Sequence, residues 1–373
     1  MGFNHENNAM TTTILLFIAG LITLIVGADL LVRGASRLAA AFGVAPLVIG
    51  LTIVAIGTAS PEIAVSLQAA AAGQGDLTLG NVLGSNIFNI LVILGMTAIV
   101  APIAIAEQLI RKDAPIVLGI SLLTFVLAID GKLSWQDGAI LLLGLVIYMA
   151  FALHQSRLES KKVQKEYAEE FAPKEKRTLR SNSINLAFIL IGLALLVLGS
   201  NWLVDSATQI AKSLGVSELV IGLTIVAVGT SLPEVATSVM AALKGDSDIA
   251  FGNAVGSNIF NLLGVLGIGA IAAPDGISVA SRAMQFDLPV MIFVALVTLP
   301  VFYIDSRISR FEGSLLLSYY VIYVVYVILR AAESSALFGF AIFISVFVPV
   351  TFLVLSVAAL RSMRTRKVYE GSG

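Results

Sequence analysis

Apolar positions along this chain gather into long continuous runs, and eleven can be marked, near 12–32, 45–72, 78–101, 114–130, 137–154, 184–204, 217–243, 250–273, 286–304, 313–330 and 336–360. A helix crosses a bilayer with about 20 apolar residues, so each run predicts a transmembrane helix. A transmembrane barrel would instead show alternating segments of about ten residues. From Arg157 to Arg180 the chain is charged and hydrophilic, which predicts a solvated linker. The first ten residues are polar and lack the basic opening of a signal peptide, so the first run is expected to stay as a span.

Composition agrees with that pattern. The chain is 58% hydrophobic and 13% charged, with mean hydropathy +0.95, where soluble domains carry about 25% charged residues. Too few charges remain to coat a globule of 39.2 kDa, so most of the exterior is expected to face lipid. The predicted fold class is an all-α polytopic membrane protein with the lipid bilayer as its partner. A net charge of −1 gives no reason to expect nucleic acid. Cys is 0 and His is 2, His5 and His154. That excludes disulfides, thiolate sites and a histidine-ligated metal centre. No HExxH or Ser–Lys arrangement stands out, so neither an enzyme nor a cofactor is expected.

Basic residues set the expected orientation. With the N-terminus outside, the inner loops receive Arg33, Arg37, Arg111, Lys112, Lys244, Arg307, Arg310, the linker's eight and the tail's Arg361, Arg364, Arg366 and Lys367. The outer loops receive Lys132, Lys212, Arg282 and Arg330. The split of 19 against 4 favours a cell-membrane protein with a cytoplasmic tail and eleven spans.

The chain also repeats itself. Residues 49–95 and 221–267 align without a gap at an offset of 172, with 28 of 47 positions identical. Hydrophobic drift would preserve apolarity but not Pro, Glu, Asn and Ser at fixed places. Five runs precede the linker and five follow it. An odd number turns the second copy over, which predicts inverted-topology repeats with a substrate site near the midplane. The expected organisation is a first repeat at 1–154, a cytoplasmic linker at 155–183, a second repeat at 184–330, and an accessory span with a basic tail at 331–373.

Within the second run stand Ala55, Gly57, Thr58, Pro61 and Glu62, and within the seventh Ala227, Gly229, Thr230, Pro233 and Glu234. Proline removes an amide donor and clashes with the carbonyl one turn earlier. Both spans are therefore expected to break near their centres, freeing carbonyls around Thr58 and Thr230, which is tolerated at that depth only in a cavity or in protein. Glu62 and Glu234 then fall in the first turn after each break. A charge at mid-bilayer costs about 2.5–3.5 kcal/mol. With no Lys or Arg in the central parts of these spans, the missing partner is expected to be a cation from outside the chain. A purely structural acid is the weaker reading, because the acid is duplicated with its whole context.

In the third and eighth runs Asn81, Ser85 and Asn89, and Asn253, Ser257 and Asn261, recur every four residues and so share a helical face. Gly80 with Gly84, and Gly252 with Gly256, form small-xxx-small pairs suited to close helix packing. Asn86 and Asn258 lie off that face, with interhelical bonding and ion binding equally open. Asp29 reads as the partner of Arg33, and Asp113 and Asp287 as helix-start residues ahead of a proline. The collected donors are hard oxygens from two carboxylates, backbone and hydroxyls. That set suits Ca²⁺, which takes six to eight oxygens in flexible geometry, and the same oxygens can hold Na⁺.

The motifs GTASPE with GNVLGSNIFN, and GTSLPE with GNAVGSNIFN, resemble those of the calcium/cation antiporter superfamily, in its prokaryotic sodium/calcium exchanger-like branch. The resemblance covers roughly the first 330 residues and leaves the last span outside the usual plan of ten. It implies that Glu62 and Glu234 bind Ca²⁺ with the backbone at Thr58 and Thr230. It implies Na⁺ sites at Ala55, Ser85 and Glu62 on one side and at Ala227, Ser231, Ser257 and Glu234 on the other, with Asn89 and Asn261 at the middle position. Asn81, Asn253, Asn86 and Asn258 are secondary candidates. It also implies that the first and sixth spans move across the rest. Many relatives carry an acid where this chain has Asn261, and Ala59 stands where the second copy has Ser231.

The expected activity is antiport of Ca²⁺ against Na⁺ by alternating access. Coupling to H⁺ or K⁺ is the near alternative, since two close carboxylates repel and one can take a proton. A cation channel is the alternative of another class. The sequence sets no oligomeric state.

Overall fold

The computed structural model describes residues 2–42, 44–106, 109–158, 179–214, 227–304 and 306–370. Most of the charged linker, at 159–178, and the start of the seventh apolar run, at 217–226, lie outside the described residues. The chain is overwhelmingly helical. Helix α1 is Gly2–Phe42. The second run is α2, Leu47–Thr58, and α3, Ser60–Ala71. Then come α4, Gly75–Val100, α5, Ala114–Leu127, and α6, Trp135–Leu158. After the linker follow α7, Leu179–Ser213, α8, Leu232–Leu243, α9, Ser247–Ala272, α10, Ala283–Tyr303, α11, Arg310–Ala331, and α12, Leu337–Glu370.

Among the described residues eight helices are long and apolar enough to cross a membrane, or nine with the bent α2–α3 pair counted as one span. Two of the eleven expected spans stand apart. The fourth is the 14-residue α5, continued backward by a π turn at Leu109–Asp113. The seventh shows only its second half, α8. The aspartates ahead of the prolines are a correction. Pro115 and Pro289 do open α5 and the α-helical part of α10, but Asp113 and Asp287 make no side-chain capping bond and continue the helical backbone out of π turns. The chain instead caps α11 with a box it spells out locally: the Ser309 side chain accepts from the Glu312 amide while Glu312 accepts from the Ser309 amide.

The sequence offset reappears as geometry. Helices α3 and α8 begin and end 172 residues apart, as do α4 and α9, and within the latter pair the π turns Asn89–Ile93 and Asn261–Val265 coincide. Both half-helices stop in the same way. Gly73 and Gly245 adopt φ +73° and +81°, a left-handed conformation that glycine takes without steric cost. The next residue then donates back five positions, Gln74 to Ala69 and Asp246 to Ala241, closing a Schellman motif.

The chain forms two compact units, residues 1–65 with 143–260 and residues 66–142 with 261–373. In the first, α1 and α7 run antiparallel along a seam of small residues repeating every seven. A Cβ on Gly20 would stand 2.9 Å from the Gly199 carbonyl oxygen, one on Gly27 2.8 Å from that of Gly192, and one on Gly34 2.7 Å from that of Asn185. Such backbone proximity is the packing that replaces a hydrophobic driving force in lipid. Further along, a Cβ on Gly252 would stand 3.0 Å from the Leu47 carbonyl oxygen and one on Gly256 2.7 Å from the Leu51 Cα, so this pair does serve close helix packing. For an added Cβ on Gly80 or Gly84 nothing lies within 4 Å among the described residues, and the equivalents of Leu47 and Leu51, residues 219 and 223, lie outside them.

The second unit is held by crossed pairings between copies. Strand β1, Ile103–Ala104, pairs antiparallel with β4, Arg307–Ile308, and β2, Lys132–Leu133, pairs with β3, Ile277–Ser278. Each ladder joins the loop after the third helix of one copy to the loop before the fifth helix of the other. Gly95 of α4 approaches Gly313 of α11, and Gly267 of α9 approaches Gly138 of α6, the same exchange made by helices. The ladders place Lys132 beside the segment that leads to Arg282, and Arg307 beside Ala104.

Candidate functional site

The site begins with two prolines. Between α2 and α3 the axis bends by 51° at Ala59, and in the second copy a short helical turn, Ala227–Gly229, passes through Thr230 and Ser231 into α8. Pro61 cannot donate to the Gly57 carbonyl, nor Pro233 to that of Gly229. Both freed carbonyls find a serine. The Ser60 hydroxyl donates to Gly57 O at 2.7 Å, and the Ser200 hydroxyl, reaching over from α7, donates to Gly229 O at 2.6 Å. The two carbonyls that the prolines release most directly are therefore already satisfied by the protein. The duplicated break is resolved locally in one copy and by a neighbouring helix in the other.

Past each break stands the acid. Glu62 and Glu234 occupy the first turns of α3 and α8, where free amides and the helix dipole favour a carboxylate. Each side chain is 1% exposed, and the two are close enough for their charges to interact. The hydroxyls around them cross over between copies. Ser231 donates to Glu62 Oε1 at 3.0 Å, and Thr230 lies beside the same carboxylate. Thr58 of the first copy lies beside Glu234. Where Ser231 serves Glu62, the equivalent residue is Ala59, which has no hydroxyl, and Glu234 Oε2 is buried without a hydrogen bond among the described residues. The Ser257 hydroxyl is likewise buried without one. Ala55 is fully buried at the end of α2, and Ala227 opens the turn before the second break.

Asn253 acts as a bracket. Its amide donates to the Glu234 carbonyl at 3.2 Å and to Ser238 Oγ at 3.0 Å, and its oxygen accepts from the Thr58 hydroxyl at 3.0 Å. One side chain thus ties α9 to both broken spans. In the second unit Asn81 makes the equivalent bond to Ser66 at 2.9 Å. Sequence spacing marked both asparagines as ion-site candidates, and the structure shows each of them bonded to a broken span. The neighbouring candidate Asn86 donates to the Val82 carbonyl of its own helix at 2.7 Å, and Asn258 is buried in α9. In the second unit Ser85, Asn89 and Asn261 are buried, and the two asparagines each open a π turn, a distortion frequent at functional positions.

No third ligating acid or histidine joins the pair: among the described residues there is no cluster of three or more His, Asp or Glu. Basic side chains sit elsewhere. Asp29 pairs with Arg33 at 2.8 Å, as its spacing suggested, and also with Lys244 at 2.8 Å. Ser36 donates to Asp246 at 2.9 Å. Partial burial draws the Lys244 ammonium below the ordinary lysine pKa, against the opposing pull of Asp29. Sequence reasoning missed the serine caps and the Lys244 contact, because each joins residues separated by tens or hundreds of positions, except Ser60, whose place immediately before Pro61 was the available clue.

A polytopic helical protein with broken spans and a buried carboxylate pair is of the membrane-transporter class. The family model described as sodium/calcium exchanger protein matches residues 12–154 and 184–329, and the chain belongs to that family. It is similar to the Inner membrane protein YrbG of Escherichia coli K12, 37% identical over 285 residues that cover 76% of this chain and 86% of that protein. It is similar to the Sodium/calcium exchanger MaX1 of Methanosarcina acetivorans, 32% identical over 352 residues, covering 85% of this chain and 98% of that protein. Among solved structures it matches the sodium-calcium exchanger NCX_Mj with a TM-score of 0.72 at 32% identity, over 84% of this chain and 98% of that one. The family match ends before α12 begins.

Proposed function

We propose that this chain is a secondary antiporter that moves Ca²⁺ out against an inward flow of Na⁺, through alternating access between two inverted repeats. The observation that carries this reading is the pair Glu62 and Glu234, buried together, each in the first turn after a proline break and with hydroxyls beside it. Two negative charges held among hard oxygens suit one divalent cation. Thr58 and Thr230 join them as the Ca²⁺ ligands. Ala55 and Ser85 with Glu62, and Ala227, Ser231 and Ser257 with Glu234, are the Na⁺ ligands. Asn89 and Asn261 hold the middle position. The antiparallel run of α1 and α7, equivalent helices of the two copies, supports the inverted arrangement. The basic-residue count supports a cytoplasmic linker and tail.

The deciding measurement is Ca²⁺ uptake by reconstituted vesicles under separately imposed Na⁺, K⁺ and H⁺ gradients. Uptake driven by outward Na⁺ and saturating with Ca²⁺ is expected. Uptake indifferent to Na⁺ removes the Na⁺ coupling, and non-saturating flux without counterflow removes the carrier. Proton coupling is the second reading, favoured by the neutral Asn89 and Asn261. They leave two carboxylates that can exchange one Ca²⁺ for protons, and uptake driven by a pH gradient without Na⁺ would select it.

A further inference from the structure

The accessory helix α12 lines a half-open cavity of about 310 Å³ together with α10, α11 and Leu91 of α4, near the small end of the roughly 300–1,000 Å³ usual for ligand sites. Its wall is apolar along its length, from Phe286 to Val297 on α10, from Tyr326 to Tyr319 on α11 and from Ala341 to Val348 on α12. At 1.5 Å per residue the α10 wall is about 16 Å long. The helix is fixed to its neighbours where Tyr319 and Thr351 share a hydrogen bond and Phe293 packs on Phe352. Nothing in the family match requires this helix, since that match stops at residue 329.

The mouth differs chemically from the wall. Phe286 stacks with Tyr326 at 4.7 Å and with Tyr323 at 6.2 Å, and the Arg330 guanidinium lies over the Phe286 ring at 5.7 Å. Arg282 stands one turn before Phe286, 3.8 Å from Asp287. Two guanidinium groups face one carboxylate, so the rim is net positive. Both arginines are exposed. Aromatic and arginine side chains at a span end mark the headgroup level of a bilayer.

We propose that this cavity is a binding site for one anionic phospholipid, with an acyl chain between α10, α11 and α12 and its phosphate held by Arg282 and Arg330. Leu91, which lines the cavity, lies inside the π turn that begins at Asn89, so the lipid tail touches the helix segment that carries a candidate transport residue. An apolar slot alone would accept any tail. The paired arginines bind the phosphate through hydrogen bonds, and their positive charge repels a headgroup that also carries a cation, so a net anionic lipid is preferred over a zwitterionic one.

Native mass spectrometry of the purified full chain tests this with dioleoyl phosphatidylglycerol, dioleoyl phosphatidylcholine and free glycerol 3-phosphate. The wild type is expected to retain one phosphatidylglycerol with about tenfold preference over phosphatidylcholine, the size of one charge-assisted hydrogen bond. Filling the slot by Ser345→Phe or Ala341→Trp is expected to remove the bound lipid. Arg282→Gln with Arg330→Gln, which leaves the slot intact, is expected to keep a lipid but lose the preference. Equal retention of both lipids by the wild type, undiminished retention by both filled variants, or binding of glycerol 3-phosphate as tight as that of the lipid would each overturn the proposal.

Discussion

Glu62 and Glu234 are equivalent in sequence but not in surroundings, because Ser231 serves one and Ala59 stands where the other would be served. Glu62→Gln or Glu234→Gln removes a charge from a site of two. Each variant is expected to reduce Ca²⁺ uptake to the level of empty vesicles while eluting as folded protein, and normal uptake in either refutes its role. Ala59→Ser restores the missing hydroxyl, and its expected effect is tighter ion binding at Glu234, read as a lower half-saturating Ca²⁺ concentration. The serine caps give a stability test. Ser200→Ala leaves the Gly229 carbonyl buried and unsatisfied, at a cost of about 1–3 kcal/mol, and a lowered thermal midpoint in detergent checks it. The acids were legible because charge inside an apolar run is costly and conspicuous. The caps were not, because a serine pointing at a carbonyl across a helix interface looks like any other serine in the sequence. Asn253 was placed on the right helical face, but its bonds to the two broken spans were not visible. Helical spacing places a side chain on a face, and only the partner bonds distinguish a bracket from a ligand.

The helices themselves were readable as apolar runs, and the proline breaks as interruptions in them. The π turns were not, since Asn89–Ile93 contains nothing that helix propensity disfavours strongly and Gly264 of Asn261–Val265 has no counterpart there. The α1–α7 seam was half visible. Glycines at 20, 27 and 34 repeat every seven residues, but their partners at 199, 192 and 185 emerge only when the two helices are laid antiparallel. Gly27→Leu sets a side chain against the Gly192 backbone. It is expected to abolish transport and lower the thermal midpoint by several degrees, whereas Gly119→Leu, with nothing within 4 Å of its added Cβ, is expected to change neither. Equal behaviour of the two variants would mean that the seam contributes nothing.

For the molecule as a whole, the absence of cysteine is an experimental convenience. A thiol introduced at Lys132 or at Lys244 is the sole one in the chain. A membrane-impermeant maleimide added to intact cells is expected to label Lys132→Cys and to leave Lys244→Cys unlabelled until the cells are opened. The reverse result inverts the proposed orientation. Duplication was plain in the sequence, but the exchange of strands and glycines between copies was not, because pairing depends on how segments far apart in the chain are folded together. The unequal serine caps bear on the direction of the whole cycle. Ser60 rides on the helix it caps, whereas Ser200 belongs to α7, one of the two helices proposed to travel. Displacing α7 strips a bond from Gly229 and strips none from Gly57. In the proposed cycle the Gly229 carbonyl must therefore find a new donor when α7 moves while the Gly57 carbonyl keeps its own, so two nearly identical halves would not share the work of moving equally.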